Sequence, residues 1–152
     1  MRNKKISIFI FMFIILAVLT VSYFMDDNKP AQNIPQPQKT LETKTTAFGA
    51  VNVTVTPKNL FGNNKTWNFE IVLDTHSVEL NQDLNQTVFL VDEKDNEYKP
   101  ISWEGDSLGG HHRSGILKFQ PINPPPSIIT LKFKDFEDSD TRAFMWITEF
   151  DK

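Results

Sequence analysis

Val51-Asn52-Val53-Thr54-Val55 and, after a short gap, Trp67-Asn68-Phe69-Glu70-Ile71-Val72-Leu73 place apolar side chains at every second residue. A period of two is that of a strand with one face buried, and Trp67 and Phe69 put the largest side chains in register on that face. Pro57 interrupts the first run, and Asn63 and Asn64 supply turn chemistry before the second. These two stretches predict a pair of half-buried strands and set the fold class.

The same pattern recurs downstream. Val88-Phe89-Leu90-Val91 is apolar on both faces and predicts a central strand over 87–92, followed by a charged turn at Glu93-Lys94-Asp95-Asn96 and a return over 97–103. Leu117 and Phe119, then Ile129, Leu131 and Phe133, then residues 142–148 complete a set of seven strands. Pro121, Pro124, Pro125 and Pro126 demand an extended crossover between two of them. The expected domain, residues 48–150, is all-β: an immunoglobulin-like antiparallel β-sandwich. With no cysteine, its core depends on Trp67, Trp103, Trp146 and the phenylalanines. The acidic run Glu137-Asp138-Ser139-Asp140 is expected as a solvated hairpin turn.

Ahead of the domain, Ile6 to Met25 is a 20-residue stretch without Asp, Glu, Lys, Arg or His. As a helix it extends roughly 30 Å, the thickness of one bilayer core. Arg2, Lys4 and Lys5 precede it and Asp26 and Asp27 follow, so the expected topology is a cytoplasmic tail (1–5), one uncleaved transmembrane signal-anchor helix (6–25) in the plasma membrane, and an extracytoplasmic remainder. Residues 26–47, with Pro30, Pro35 and Pro37 among polar residues, read as a flexible tether.

Charge narrows the partners. From Phe48 onward ten Lys+Arg stand against sixteen Asp+Glu, a net of −6, which repels a phosphate backbone; nucleic acid is not an expected partner. The Asn-x-Thr triplets at Asn52, Asn64 and Asn85 are no more than chance supplies.

All three histidines fall in two places, His76 in Asp74-Thr75-His76-Ser77 and His111-His112 after Gly109-Gly110. The leading functional expectation is a non-enzymatic, membrane-tethered module recognising a protein or envelope component through a polar rim of His112 and Arg113 beside the aromatic wall of Trp103. An alternative is a zinc- or copper-binding domain whose ligands are His76 with His111, His112 or both, completed by Asp74, Glu104 or Asp106; for His111 and His112 to share the ion, the two glycines must bend the backbone. A third reading is structural: His76 and Arg113 fix loops by buried hydrogen bonds, with Glu104 or Asp106 as ion-pair partners for Arg113. A hydrolase built on Ser107 or Ser114, His112 and Asp74 or Asp106 has no nucleophile-elbow pattern behind it.

Asp-Thr-His-Ser at 74–77, Trp103-Glu104-Gly105, and the run from Gly109-Gly110-His111-His112-Arg113 to Phe119 together resemble a pattern of uncharacterised prokaryotic membrane-anchored extracytoplasmic domains. The resemblance spans most of Val51 to Ile147. It implies that the three histidines form one feature, and it implies no activity. The sandwich also looks broadly like small copper-handling domains, but the Cys-His-Met set of a blue-copper site is missing.

Overall fold

In the computed structural model, residues 40–47, 49–134 and 141–148 are described. The expected transmembrane segment, most of the tether and the acidic run at 137–140 lie outside them. Among the described residues no helix is long and apolar enough to cross a membrane.

The alternating runs form strands as their pattern requires. β1 (Lys44–Thr46), β2 (Val51–Lys58), β3 (Trp67–Thr75), β4 (Val88–Asp92), β5 (Glu97–Tyr98), β6 (Ser102–Gly105), β7 (His112–Phe119), β8 (Ile128–Phe133) and β9 (Arg142–Ile147) are joined by loops and one short helix, α1 (Leu84–Thr87). Asp83 caps that helix, its carboxylate accepting from the Asn85 amide at 3.0 Å. Two antiparallel sheets result, ordered β1-β2-β3-β7-β6 and β5-β4-β8-β9.

Their inner faces share one apolar core. Val51, Val53 and Val55 of β2, Phe69, Ile71 and Leu73 of β3, Leu90 of β4, Leu117 and Phe119 of β7, and Ile129, Leu131 and Phe133 of β8 are fully buried within it. Aromatic rings bridge the layers. Phe69 meets Phe119 edge-on at 5.6 Å within the first sheet and Trp146 of the second at 6.0 Å; Phe144 then links Trp146 to Phe133. Such pairs add about 0.5–1.5 kcal/mol each beyond the area they bury.

Several boundaries differ from expectation, each for a local reason. The first sheet begins inside the stretch read as tether. β1 has no apolar alternation, but Thr45 and Thr54 share a hydroxyl bond at 2.9 Å, as do Thr43 and Thr56, and the Trp146 indole donates to the Glu42 carbonyl at 2.8 Å. β2 runs through Pro57, because β1 pairs it only over Val53–Val55 and Pro57 therefore sits on an edge, where a missing N–H is tolerated. The stretch 97–103, expected as one return strand, splits around Pro100: β5 pairs with β4 and β6 with β7 in the other sheet. β7 starts at His112, five residues before Leu117, the first residue of the expected strand.

The strand directions define two poles. β2 begins, β3 ends and β7 begins at one pole, where Asp74 pairs with His112; β2 ends, β3 begins and β7 ends at the other, where Trp67 pairs with Phe119. Lys44 lies opposite Val55 and the chain runs from there toward Val53, so residue 40 enters near the second pole.

Candidate functional site

At the first pole, neighbouring residues of β7 separate into two environments. Arg113 shares its parity with Gly115, Leu117 and Phe119 and points inward, while His112 and Ser114 point to the outer face of the five-stranded sheet.

The outward pair is simple. His112 Nδ1 lies 2.5 Å from Asp74 Oδ1 across β3 and β7, with side chains 72% and 43% exposed. The other two histidines do not join them. His111 and His76 are exposed, and Gly109 and Gly110, with φ of 97° and 75°, fold the loop back onto Leu80 instead of gathering imidazoles. Gly109 N–H donates to the Leu80 carbonyl at 2.9 Å, and Leu80 N–H to the Gly110 carbonyl at 3.0 Å. Among the described residues, which include His76, His111, His112 and Asp74, no group of three or more His, Cys, Asp or Glu side chains is placed to hold a metal ion. The expected zinc or copper centre is therefore corrected: the bend exists, but it serves loop-to-loop hydrogen bonding and leaves a two-residue pair.

The inward residue is more constrained. Arg113 is 2% exposed. Its Nη1 donates to the carbonyls of Leu80 at 3.1 Å and Gln82 at 2.8 Å, and its guanidinium carbon lies 5.5 Å from the centre of the Trp103 ring. Neither expected ion-pair partner reaches it: Glu104 pairs with Lys118 at 2.6 Å, and Asp106 accepts from the Ser114 amide at 2.7 Å and hydroxyl at 3.1 Å. Burial pushes the Arg113 guanidinium below its ordinary range, with Asp106 and Asp83 opposing that from a distance. The buried-loop role expected of Arg113 and His76 together is carried by Arg113, while His76 stays exposed.

Trp103 completes the arrangement. Its indole donates to the Asp106 carbonyl at 2.9 Å and lies over facing glycines, Gly105 of β6 and Gly115 of β7. A Cβ on Gly115 would fall 2.5 Å from Gly105 Cα and 2.7 Å from Trp103 Cζ2, so the indole occupies room that only glycine leaves. Loops 76–83 and 106–111 are thus tied together by backbone bonds, with Arg113 holding the first of them to β7, and Leu108 of the second is 56% exposed. Of the expected hydrolase arrangement, the pairing of His112 with Asp74 is present, while the Ser114 hydroxyl engages Asp106.

A second feature had no counterpart in the expectations. Beside β9, Thr40, Leu41, Glu42 and Lys44 together with Met145, Trp146 and Ile147 line a groove of about 430 Å³. Its signal was present in Arg142-Ala143-Phe144-Met145-Trp146-Ile147, which is apolar at both parities after Arg142 and so leaves apolar side chains outside as well as in.

No family model matches the chain, and neither a curated protein nor a solved structure shows detectable similarity to it.

Proposed function

We propose that the protein is a non-enzymatic recognition module, anchored in the plasma membrane by residues 6–25 with its N-terminus in the cytoplasm, whose extracytoplasmic immunoglobulin-like domain binds a protein or envelope component. The carrying observation is the rigid loop pair at the first pole: Leu108 stands exposed on loops held by Arg113 and by reciprocal Leu80 bonds, and preorganised loops bind at lower entropic cost. Trp103 and Arg113 act from behind as supports, and His112 with Asp74 forms a polar rim.

The finer fold assignment rests on strand order. With β2 as strand A, the two sheets read A-B-E-D and C′-C-F-G, the immunoglobulin-type arrangement, to which β1 adds an outer strand. The resemblance to prokaryotic extracytoplasmic domains, the apolar 6–25 segment and the flanking charges support the location, and the net charge of −6 from Phe48 onward favours a cationic or neutral partner over nucleic acid.

The chain has no cysteine, so one introduced thiol reports without background. In intact cells expressing the full chain, Leu108→Cys is expected to react with a membrane-impermeant maleimide; labelling only after lysis removes the outward topology. A photo-crosslinker at position 108 is expected to give a discrete adduct that Arg113→Ala weakens. Equal adducts from position 108 and from the exposed Lys65 remove the recognition role.

A further inference from the structure

β1 is held to the first sheet differently from its neighbours. It meets β2 only over Lys44–Thr46, whereas β3 meets β2 along its whole length from Val51 to Lys58. None of its three side chains belongs to the apolar core, and of residues 40–43 only Leu41 packs against that core, half-buried. Among the described residues the rest of the hold is polar. The Thr43–Thr56 and Thr45–Thr54 hydroxyl bonds are exposed, and the Lys44 ammonium lies 5.8 Å from the centre of the Trp146 ring while pairing with Glu42 of the same segment. The Trp146 indole adds a part-buried tie, donating to the Glu42 carbonyl at 2.8 Å. Thr46 works against closure: its Oγ1 is buried with no hydrogen-bond partner among the described residues, a cost that release removes.

What β1 covers is of another kind. From Val51 to Pro57, β2 carries no charged side chain, and β1 lies along its edge at Val53–Val55. Uncharged strand edges are what proteins ordinarily keep covered. A segment with few buried apolar contacts and exposed hydrogen bonds opens locally, at a free energy below that of global unfolding.

We infer that residues 40–46 form a detachable strap. Closed, the strap guards the edge of β2 and satisfies the Trp146 indole; in a minor open state it uncovers both while the two sheets stay folded. Trp146 keeps its packing against Phe69 and Phe144 in that state, since neither ring belongs to the strap. The fold thus switches between a covered and an uncovered β2 edge, and the switch rests neither on the loop pole nor on membrane anchorage.

The test is hydrogen exchange followed by NMR on the full chain in non-ionic detergent. The protection factor of the Trp146 indole N–H is expected to be at least about tenfold below those of the Leu73 and Leu117 amides, and to change little with low urea while theirs fall. A cross-link checks the cause. The side-chain ends of Thr43 and Thr56 meet at 2.9 Å and the chain has no cysteine to compete, so Thr43→Cys with Thr56→Cys can close a disulfide across the strap. Oxidation is expected to slow indole exchange at least about tenfold and to give it the urea dependence of the core amides; reduction restores the fast exchange. Thr46→Val, which removes the orphaned hydroxyl, is expected to slow it by about tenfold. Indole exchange in step with Leu73 and Leu117 in the wild type, or equal indole exchange in the oxidised and reduced variant, overturns the strap.

Discussion

His112 and Arg113 are consecutive residues whose side chains have opposite surroundings. His112 meets a carboxylate in the open, where water screens the pair and an exposed ion pair contributes about 0–1 kcal/mol. Arg113 has no carboxylate partner among the described residues, yet it is buried and ties the 76–83 loop to β7 through two neutral carbonyls and a tryptophan face. The exposed His112–Asp74 contact is thus expected to be the weaker of the two, and the buried guanidinium organises the pole. If so, mutational cost should follow burial and not charge pairing.

The largest effect is expected at Arg113. Arg113→Ala leaves the Leu80 and Gln82 carbonyls without their donor, at about 1–3 kcal/mol per orphaned buried group, and removes the cation–π contact, while relieving the desolvation of the guanidinium. A net loss of about 2–4 kcal/mol in urea unfolding is expected. Arg113→Lys recovers only part of it, because an ammonium cannot spread two donors and a flat face as guanidinium does. A loss below about 1 kcal/mol breaks the comparison.

Gly115→Ala comes next. The added methyl meets backbone at 2.5 Å and 2.7 Å as well as the Trp103 ring, so the indole or the β6–β7 pairing must shift. Overpacking of this kind costs about 1–3 kcal/mol, and a red-shifted, more quenchable Trp103 fluorescence, isolated by replacing Trp67 and Trp146 with Phe, is the expected signature. Unchanged fluorescence with unchanged stability would mean that the indole does not depend on its glycine bed.

This contrast also explains what the sequence made legible. β2, β3, β4, β8 and β9 were readable because apolar residues mark at least one parity without a break. β7 was readable only from Leu117, since its two earlier inward positions hold Arg113 and Gly115, neither of which looks like core. Counting back in twos from Phe119 nevertheless places Arg113 inside, and that parity was the available clue to its burial. The histidine cluster failed for the complementary reason: proximity in sequence says nothing about which face each ring takes, and the glycine bend that was expected to gather the rings serves hydrogen bonds to Leu80 instead. β1 was invisible because an edge strand covering its neighbour with threonine hydroxyls needs no apolar face.

A smaller effect is expected at the exposed pair. A double-mutant cycle over Asp74→Asn and His112→Ala should give a coupling of about 0.2–1 kcal/mol that shrinks in high salt, because both groups are largely hydrated. A coupling above about 2 kcal/mol, insensitive to salt, would place this pair on the same footing as Arg113 and undo the distinction between the two faces of β7.

Asp92 sharpens the point from another exposed carboxylate. Unlike Asp74, it is met by several donors in the turn between β4 and β5: the Asn96 side-chain amide at 2.8 Å, the Asn96 and Lys94 backbone amides at 2.9 Å each, and the Tyr98 hydroxyl at 3.0 Å. These bonds, the Asn96 side chain foremost, hold its carboxyl down to about 2, while the hydrogen bond that the Tyr98 hydroxyl donates to Asp92 pushes that phenol up. A folded-state value below the unfolded one, near 3.9, means that the stabilisation is complete above about pH 4 and disappears as pH falls toward 2. Carboxyl NMR should therefore place the Asp92 midpoint near 2, and Asp92→Asn should flatten the wild-type loss of stability between about pH 4 and 2. A midpoint near 4 would mean that the turn donors do not discriminate the charged form. Hydrogen-bond number would then fail, as ion pairing alone does at Asp74, to decide what an exposed carboxylate contributes.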